Sequence, residues 1–162
     1  MRDGDFIVSK TDLKGRITYA NKVFREFSGF QEQEYLGKQH NIVRHPDMPR
    51  CVFKLLWDEV QAGREIFAFV KNICKDGGYY WVMANVTPSV DAKGSLLGYY
   101  SVRRKPNPKA IAPVAALYQQ LLQVEHNAGS RDAMQASLAH LNQLLSQQGV
   151  SYERFILDLQ SL

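Results

Sequence analysis

Short apolar runs broken by turn residues fill the first hundred positions, whereas beyond Pro108 the apolar residues recur at three- and four-residue intervals. "FIVSKTD" and "RITYAN" read as two strands joined by the turn Asp12-Leu13-Lys14-Gly15, which is hairpin spacing. Asn21 then stands where a helix cap belongs: its side-chain oxygen can satisfy free amides of "KVFREFSG", and Gly29 closes that helix. "QEQEYLG" predicts one further turn or two. "RCVFKLLWDEVQAG" places Val52, Leu55, Leu56 and Val60 at helical spacing and stops at Gly63. Three strands follow, divided by Lys75-Asp76-Gly77-Gly78 and Asp91-Ala92-Lys93-Gly94. In the first, period-two alternation assigns Ile66, Ala68, Val70 and Asn72 to one face and Phe67, Phe69, Lys71 and Ile73 to the other.

Two strands, several short helices, one longer helix and three long strands predict an α+β fold. Its five-stranded antiparallel sheet collects the short helices on one face, with room for a pocket between the layers. The asparagine on the otherwise apolar row of the third strand needs a partner once buried, because an unanswered buried amide costs about 1–3 kcal/mol. A boundary near Pro106 divides the chain into residues 1–105 and a C-terminal helical segment, 106–162. In that segment Val114, Leu117, Tyr118, Leu121 and Val124 form one stripe, and Gly129-Ser130 breaks it. Met134, Leu138, Leu141 and Leu145 form a second stripe, and Tyr152, Phe155, Ile156, Leu159 and Leu162 a third. The expectation is an antiparallel helical hairpin packed on itself, on the sheet or on a second copy of the chain. His126 and His140 fall among polar tail positions and are expected in solvent.

Composition narrows the function classes. With 162 residues and 45% apolar content the chain can bury a core. The net charge of +4 is scattered rather than gathered into a stripe, which argues against nucleic-acid binding. Cys51 and Cys74 lie far apart, with no C-x-x-C, and are expected to be packing residues in a reduced, cytoplasmic compartment. No apolar run approaches the roughly 20 residues that cross a bilayer, so no direct membrane insertion is expected. Nucleophile elbows, phosphate-cradling glycine loops and paired-carboxylate motifs are missing, and no enzyme activity is expected.

The densest chemistry lies in "HNIVRHPDMP", His40 to Pro49. One reading is a rigid loop in which Pro46 holds His45 out of helical geometry, Asp47 caps the next helix and Arg44 pairs with Asp47. The other is a ligand grip. Two histidines plus Asp47 fall short of the three or four convergent ligands of a typical metal site.

The order of elements, with "ITYAN", "FSGF" followed by "YLGK", "HNIVRHPDMP", the helix carrying Trp57, "VKNICKDGGYYWV" and "GYYSVR", resembles a PAS domain of the kind found in bacterial aerotaxis receptors. The likeness runs over roughly residues 5 to 105. It implies non-covalent FAD, and signalling of redox or oxygen status to a chemotaxis apparatus without turnover. By resemblance Asn21, His40, Arg44, His45, Asp47 and Asn72 fall at flavin-binding or signalling positions, and Asn41, Trp57, Ile66 and Asn85 complete the candidate set. Arg44 can pair with an anionic flavin or a phosphate, and Asn72 can offer donor and acceptor to a pyrimidine edge. Asn21 can cap its helix and still leave its amide nitrogen free for a ligand. Trp57 reads as core more readily than as a stacking platform. Ile66 stands where the family usually carries tryptophan, and isoleucine lacks that flat packing surface. The alternatives are haem held through His40 or His45, and a cofactor-free interaction module. The tail is then the output, acting on a signalling partner or a dimer mate, in a stand-alone sensor or a fragment of a larger receptor.

Overall fold

Two turns from the sequence, each closed locally, set the sheet. Asp12 accepts through Oδ1 from the amides of Lys14 and Arg16 (2.8 and 2.9 Å), and Asp91 does the same for Lys93 and Ser95 (both 2.8 Å). The computed structural model describes all 162 residues. Its elements in chain order are β1 (Ile7–Thr11), β2 (Ile17–Ala20), α1 (Lys22–Ser28), α2 (Glu32–Tyr35), a 3-10 turn (His40–Val43), α3 (Arg50–Gln61), β3 (Ile66–Ile73), β4 (Tyr79–Val90), β5 (Leu96–Arg104), α4 (Pro108–Gln148) and α5 (Tyr152–Gln160). The five strands form one antiparallel sheet in the order β2-β1-β5-β4-β3, which puts the first hairpin at one edge and β3 at the other.

Register settles which side chains share a face. Asn72 pairs with Tyr80 and Val70 with Val82; Ala84 pairs with Arg103, Val86 with Ser101, and Ser9 with Ser101 from the other side. These residues therefore point the same way, toward α1, α3 and the 3-10 turn. Phe69 and Met83, paired with each other, point to the opposite face, and both are buried. What buries them is the tail: Val114, Tyr118, Leu121 and Ile156 belong to the same core as Phe69 and Met83, and the Tyr118 ring lies 6.0 Å from that of Trp81. The short helices thus take one face, as the layer argument expects, and the tail packs both on the sheet of its own chain and on itself, the Ser137 hydroxyl of its second arm donating to Glu125 of its first.

The tail is a hairpin within α4. Gly129 carries φ 76° and ψ 167°, a conformation essentially confined to glycine, and breaks the helix there. Its buried line differs in phase from the predicted stripe. Ala133, Ser137, Leu141 and Leu145 face inward while Met134 is 39% exposed, so the second half is rotated by about one residue relative to the reading from size alone. In the first half the inward line is Ala110, Val114, Tyr118, Leu121 and then Glu125, a buried carboxylate. Glu125 explains the register: its Oε1 accepts from the backbone amides of Arg50 (2.7 Å) and Cys51 (3.3 Å) and from Ser137 Oγ (2.8 Å). The N-terminus of α3 follows Pro49, which has no capping side chain, and is capped instead from 75 positions away.

Candidate functional site

The stretch from Lys38 to His45 spans the sheet from one edge to the other. At the β2 edge the Ile17 amide donates to Lys38 O (2.9 Å) and the His40 amide to Gly15 O (3.0 Å); at the β3 edge the His45 amide donates to Lys71 O (3.3 Å) and Arg44 bridges to Asn72. Between these anchors the 3-10 turn hangs over the inner face of the sheet. Together with α3 it leaves a cavity of about 240 Å³, walled by Ser9, Ser101, Arg103, Val70, Asn72, Ala84 and Val86 from the strands. His40, Asn41 and Arg44 wall it from the loop, and Phe53, Leu56, Trp57 and Val60 from α3. That volume lies below the usual range of about 300–1,000 Å³ for sites that enclose a whole drug-sized ligand.

One corner of the cavity is polar and buried. Arg103 is 2% exposed; its Nε donates to Ser101 Oγ (3.1 Å), and its Nη2 donates to Ser9 Oγ and lies 3.2 Å from His40 Nε2. Ser9 Oγ also lies 3.0 Å from His40 Nε2. Burial, with the nearby Arg103 charge adding to it, pushes the His40 pKa down to about 3. The imidazole is therefore neutral, and the single lone pair of Nε2 is shared between the Ser9 hydroxyl and Arg103 Nη2. Burial likewise lowers Arg103, to about 10, which leaves it charged. Burial raises Tyr80, on the same face beside Asn72, to about 12, so its phenol is neutral. Three polar atoms of this group lack a hydrogen-bond partner of normal geometry: Asn72 Nδ2, Arg103 Nη1 and Tyr80 OH, the Asn72 side chain and the Tyr80 phenol lying close enough to act only weakly on one another.

The candidates from the sequence divide cleanly. His40, Asn41, Arg44, Trp57 and Asn72 line the cavity. Asn72 is buried on the inner face with an unanswered amide nitrogen, the situation that makes a buried asparagine costly. Trp57 combines the two readings given it, lining the cavity while holding an edge-on contact with Tyr99 (5.2 Å). Asn21 is committed elsewhere. Its Oδ1 accepts from Phe24 N (3.0 Å) and Val8 N (3.1 Å) and its Nδ2 donates to Phe6 O (2.8 Å), so the amide nitrogen expected to stay free ties α1 to the start of the sheet. Asp47 neither caps α3 nor pairs with Arg44. It accepts from Lys71 Nζ (2.6 Å), a bond that lowers its pKa, and it stands in solvent. Arg44 donates to Met48 O (2.9 Å) and lies over the Phe53 ring (4.2 Å). His45 accepts at Nδ1 from the Asp47 amide (3.1 Å) and meets Tyr79 edge-on, outside the cavity. Ile66 shares the inner face but packs with Val60 and Tyr99 beyond the cavity wall. Asn85 pairs with Phe67, which turns it to the outer face, where it donates to Glu65 (2.9 Å). Arg103, absent from the sequence-based set, had one available signal: in "GYYSVRR" alternation from Ser101 carries position 103 to the same face.

Residues 5–104 match the family model described as the PAS fold. The chain belongs to the PAS family. Among curated proteins this PAS chain is 41% identical over 121 residues to the aerotaxis receptor of Escherichia coli (strain K12), a match covering 75% of this chain and 24% of the receptor. It is 27% identical over 97 residues to the nitrogen fixation regulatory protein of Klebsiella pneumoniae, covering 60% of this chain and 20% of that protein. The chain therefore spans about a quarter or less of the length of these relatives. Of solved structures, the light state of the blue-light photoreceptor Aureochrome1 LOV superposes with a TM-score of 0.57 at 23% identity, over 76% of this chain and 94% of that one, a likeness of fold. The PAS protein is thus a sensory-type module related to the aerotaxis receptor. No helix is long and apolar enough to cross a membrane.

Proposed function

We propose that this PAS protein is a cytoplasmic sensor that holds the ring system of FAD in the cavity between its sheet and α3 and signals redox or oxygen status without catalysing a reaction. Residues 1–105 form the sensor in this reading and 106–162 the output segment. A second copy of the chain and a downstream signalling protein are its partners. The observation that carries the reading is Asn72: a buried amide nitrogen without a partner, lining the cavity between sheet and helices, in a chain 41% identical over 121 residues to an aerotaxis receptor.

The residues present fit the group. The free donors are N–H groups of Asn72 and Arg103, and the pyrimidine edge of a flavin is rich in acceptors. The apolar walls from α3 and the strands suit a flat aromatic ring, and a space of about 240 Å³ suits the ring system but not a whole dinucleotide. Asn72 and Arg103 would orient the ring, and Leu56, Val60 and Val86 would keep water from it. When bound, the flavin supplies a reversible change of charge and hydrogen-bonding pattern.

The chain's own contacts lead from cavity to tail by two routes. β3 presents Asn72 to the cavity and, three residues earlier, offers the Phe69 carbonyl to Tyr118 OH of α4 (2.7 Å). α3 lines the cavity with Phe53, Leu56 and Trp57, and its first turn is held by Glu125 of the same tail helix. A shift of β3 or α3 by a fraction of an ångström changes tail contacts directly.

The visible spectrum of the purified full chain tests the proposal. Absorbance in the blue, with FAD identified by mass spectrometry after release, is the expected result, and Asn72→Ala should weaken FAD binding about tenfold or more, the worth of one buried hydrogen bond. A colourless, folded protein that takes up no FAD on mixing leaves the interaction module. A red protein means haem.

A further inference from the structure

Arg103 is a buried cation without a counter-charge. Its hydrogen bonds go to two hydroxyls and a neutral imidazole, Nη1 has no partner, and it enters none of the ion pairs of the fold. The neighbouring phenol of Tyr80 is neutral, and the closest aromatic face, that of Phe24, lies 5.7 Å away. A guanidinium left this way costs several kcal/mol relative to water, and an apolar side chain of similar length would remove that cost. Arg44, the other cation of the cavity wall, is already occupied by the Met48 carbonyl and the Phe53 ring.

We infer that Arg103, seated by Ser9, Ser101 and His40, selects guests, or states of a guest, that carry negative charge on the edge facing it. The ligand class is a planar anionic heterocycle or carboxylate. Combined with the flavin reading, on which this part rests, the inference makes Arg103 a positioning residue that sets the redox balance of the site. Two electrons from dithionite and one proton from water leave the ring with one net negative charge, and a second proton neutralises it. Arg103 favours the first of these outcomes on the acid side of neutrality, where His40 remains neutral.

The test is a dithionite titration of the FAD-loaded full chain at several pH values, for wild type, Arg103→Lys and Arg103→Met. With one proton taken up per electron pair the equilibrium changes tenfold per pH unit, about 30 mV; with two protons the slope doubles. Wild type and Arg103→Lys are expected to show the single-proton slope below neutrality. Arg103→Met is expected to show the doubled slope and a preference for the reduced ring at least tenfold weaker, a fall of about 30 mV or more. Identical potentials and slopes in all three proteins overturn the inference while leaving FAD binding intact. If wild type takes up no FAD, the cofactor reading fails on its own. The charge inference is then decided by melting the full chain with millimolar benzoate, a small planar anion. A rise in wild type that Arg103→Met lacks supports it, and no rise in either overturns it.

Discussion

Replacing Glu125 by alanine should unfasten the tail from the sensor. Glu125 is 8% exposed, and a single carboxylate oxygen serves two amides at the start of α3 and the hydroxyl of Ser137. Loss of a helix cap costs about 0.5–2 kcal/mol. A negative charge at a partly buried helix N-terminus adds up to about 2 kcal/mol. A buried hydroxyl left without its acceptor costs about 1–3 kcal/mol. These effects overlap, since one group supplies all three, and water entering the vacated space recovers part of the loss. A net destabilisation of about 3 kcal/mol is the reasoned value. In a domain of this size each kcal/mol moves Tm by about 2–4 °C, so Glu125→Ala should melt about 6–12 °C below wild type. Glu125→Gln keeps an acceptor oxygen and should lose about 1 kcal/mol, the worth of turning charge-assisted bonds into neutral ones. Urea unfolding followed by tryptophan fluorescence reads both variants. A Glu125→Ala protein within about 0.5 kcal/mol of wild type, the range of an ordinary surface change, would refute the claim that the tail caps α3.

Two further outcomes are expected. His40 binds a proton near pH 6.5 in the unfolded chain but only near 3 when folded, so in that window the unfolded state holds more protons and stability falls on acidification. The slope is at most about 1.4 kcal/mol per pH unit; His45, lowered chiefly by burial, adds in the same direction. Urea midpoints at pH 7 and 5 should differ clearly in wild type and much less in His40→Gln, and equal slopes would show that His40 does not titrate this way. Gly98→Ala should fail to accumulate as folded protein or melt far below wild type, because a Cβ there overlaps the Thr11 carbonyl oxygen across the β1–β5 pair; normal far-UV circular dichroism and Tm would contradict that.

Local chemistry in the chain determined the elements and their order. Hairpin turns were legible because Asp12 and Asp91 fold their side chains onto amides two and four residues on, and the start of α1 because Asn21 satisfies the Phe24 amide three residues on; Asn107 and Ser151 cap α4 and α5 in the same local way, which only the structure brought out. The face of β3 followed from its own alternation, which is why Asn72 could be placed toward a pocket at all. Contacts across long separations lay beyond that reach. Asn85 lies on the wrong face because the register between β3 and β4 fixes its side, and that register forms only when the strands pair. Arg103 carries a charge that ordinarily reads as solvent-facing. It is interior because Ser9, Ser101 and His40, from three separate segments, converge on it. Glu125 interrupts an apolar stripe and reads as a break in the helix's buried face until α3 brings its bare N-terminus against it. Side-chain interactions within four or five residues are encoded locally, whereas the partners of a buried charge exist only once the sheet has closed and the tail has docked.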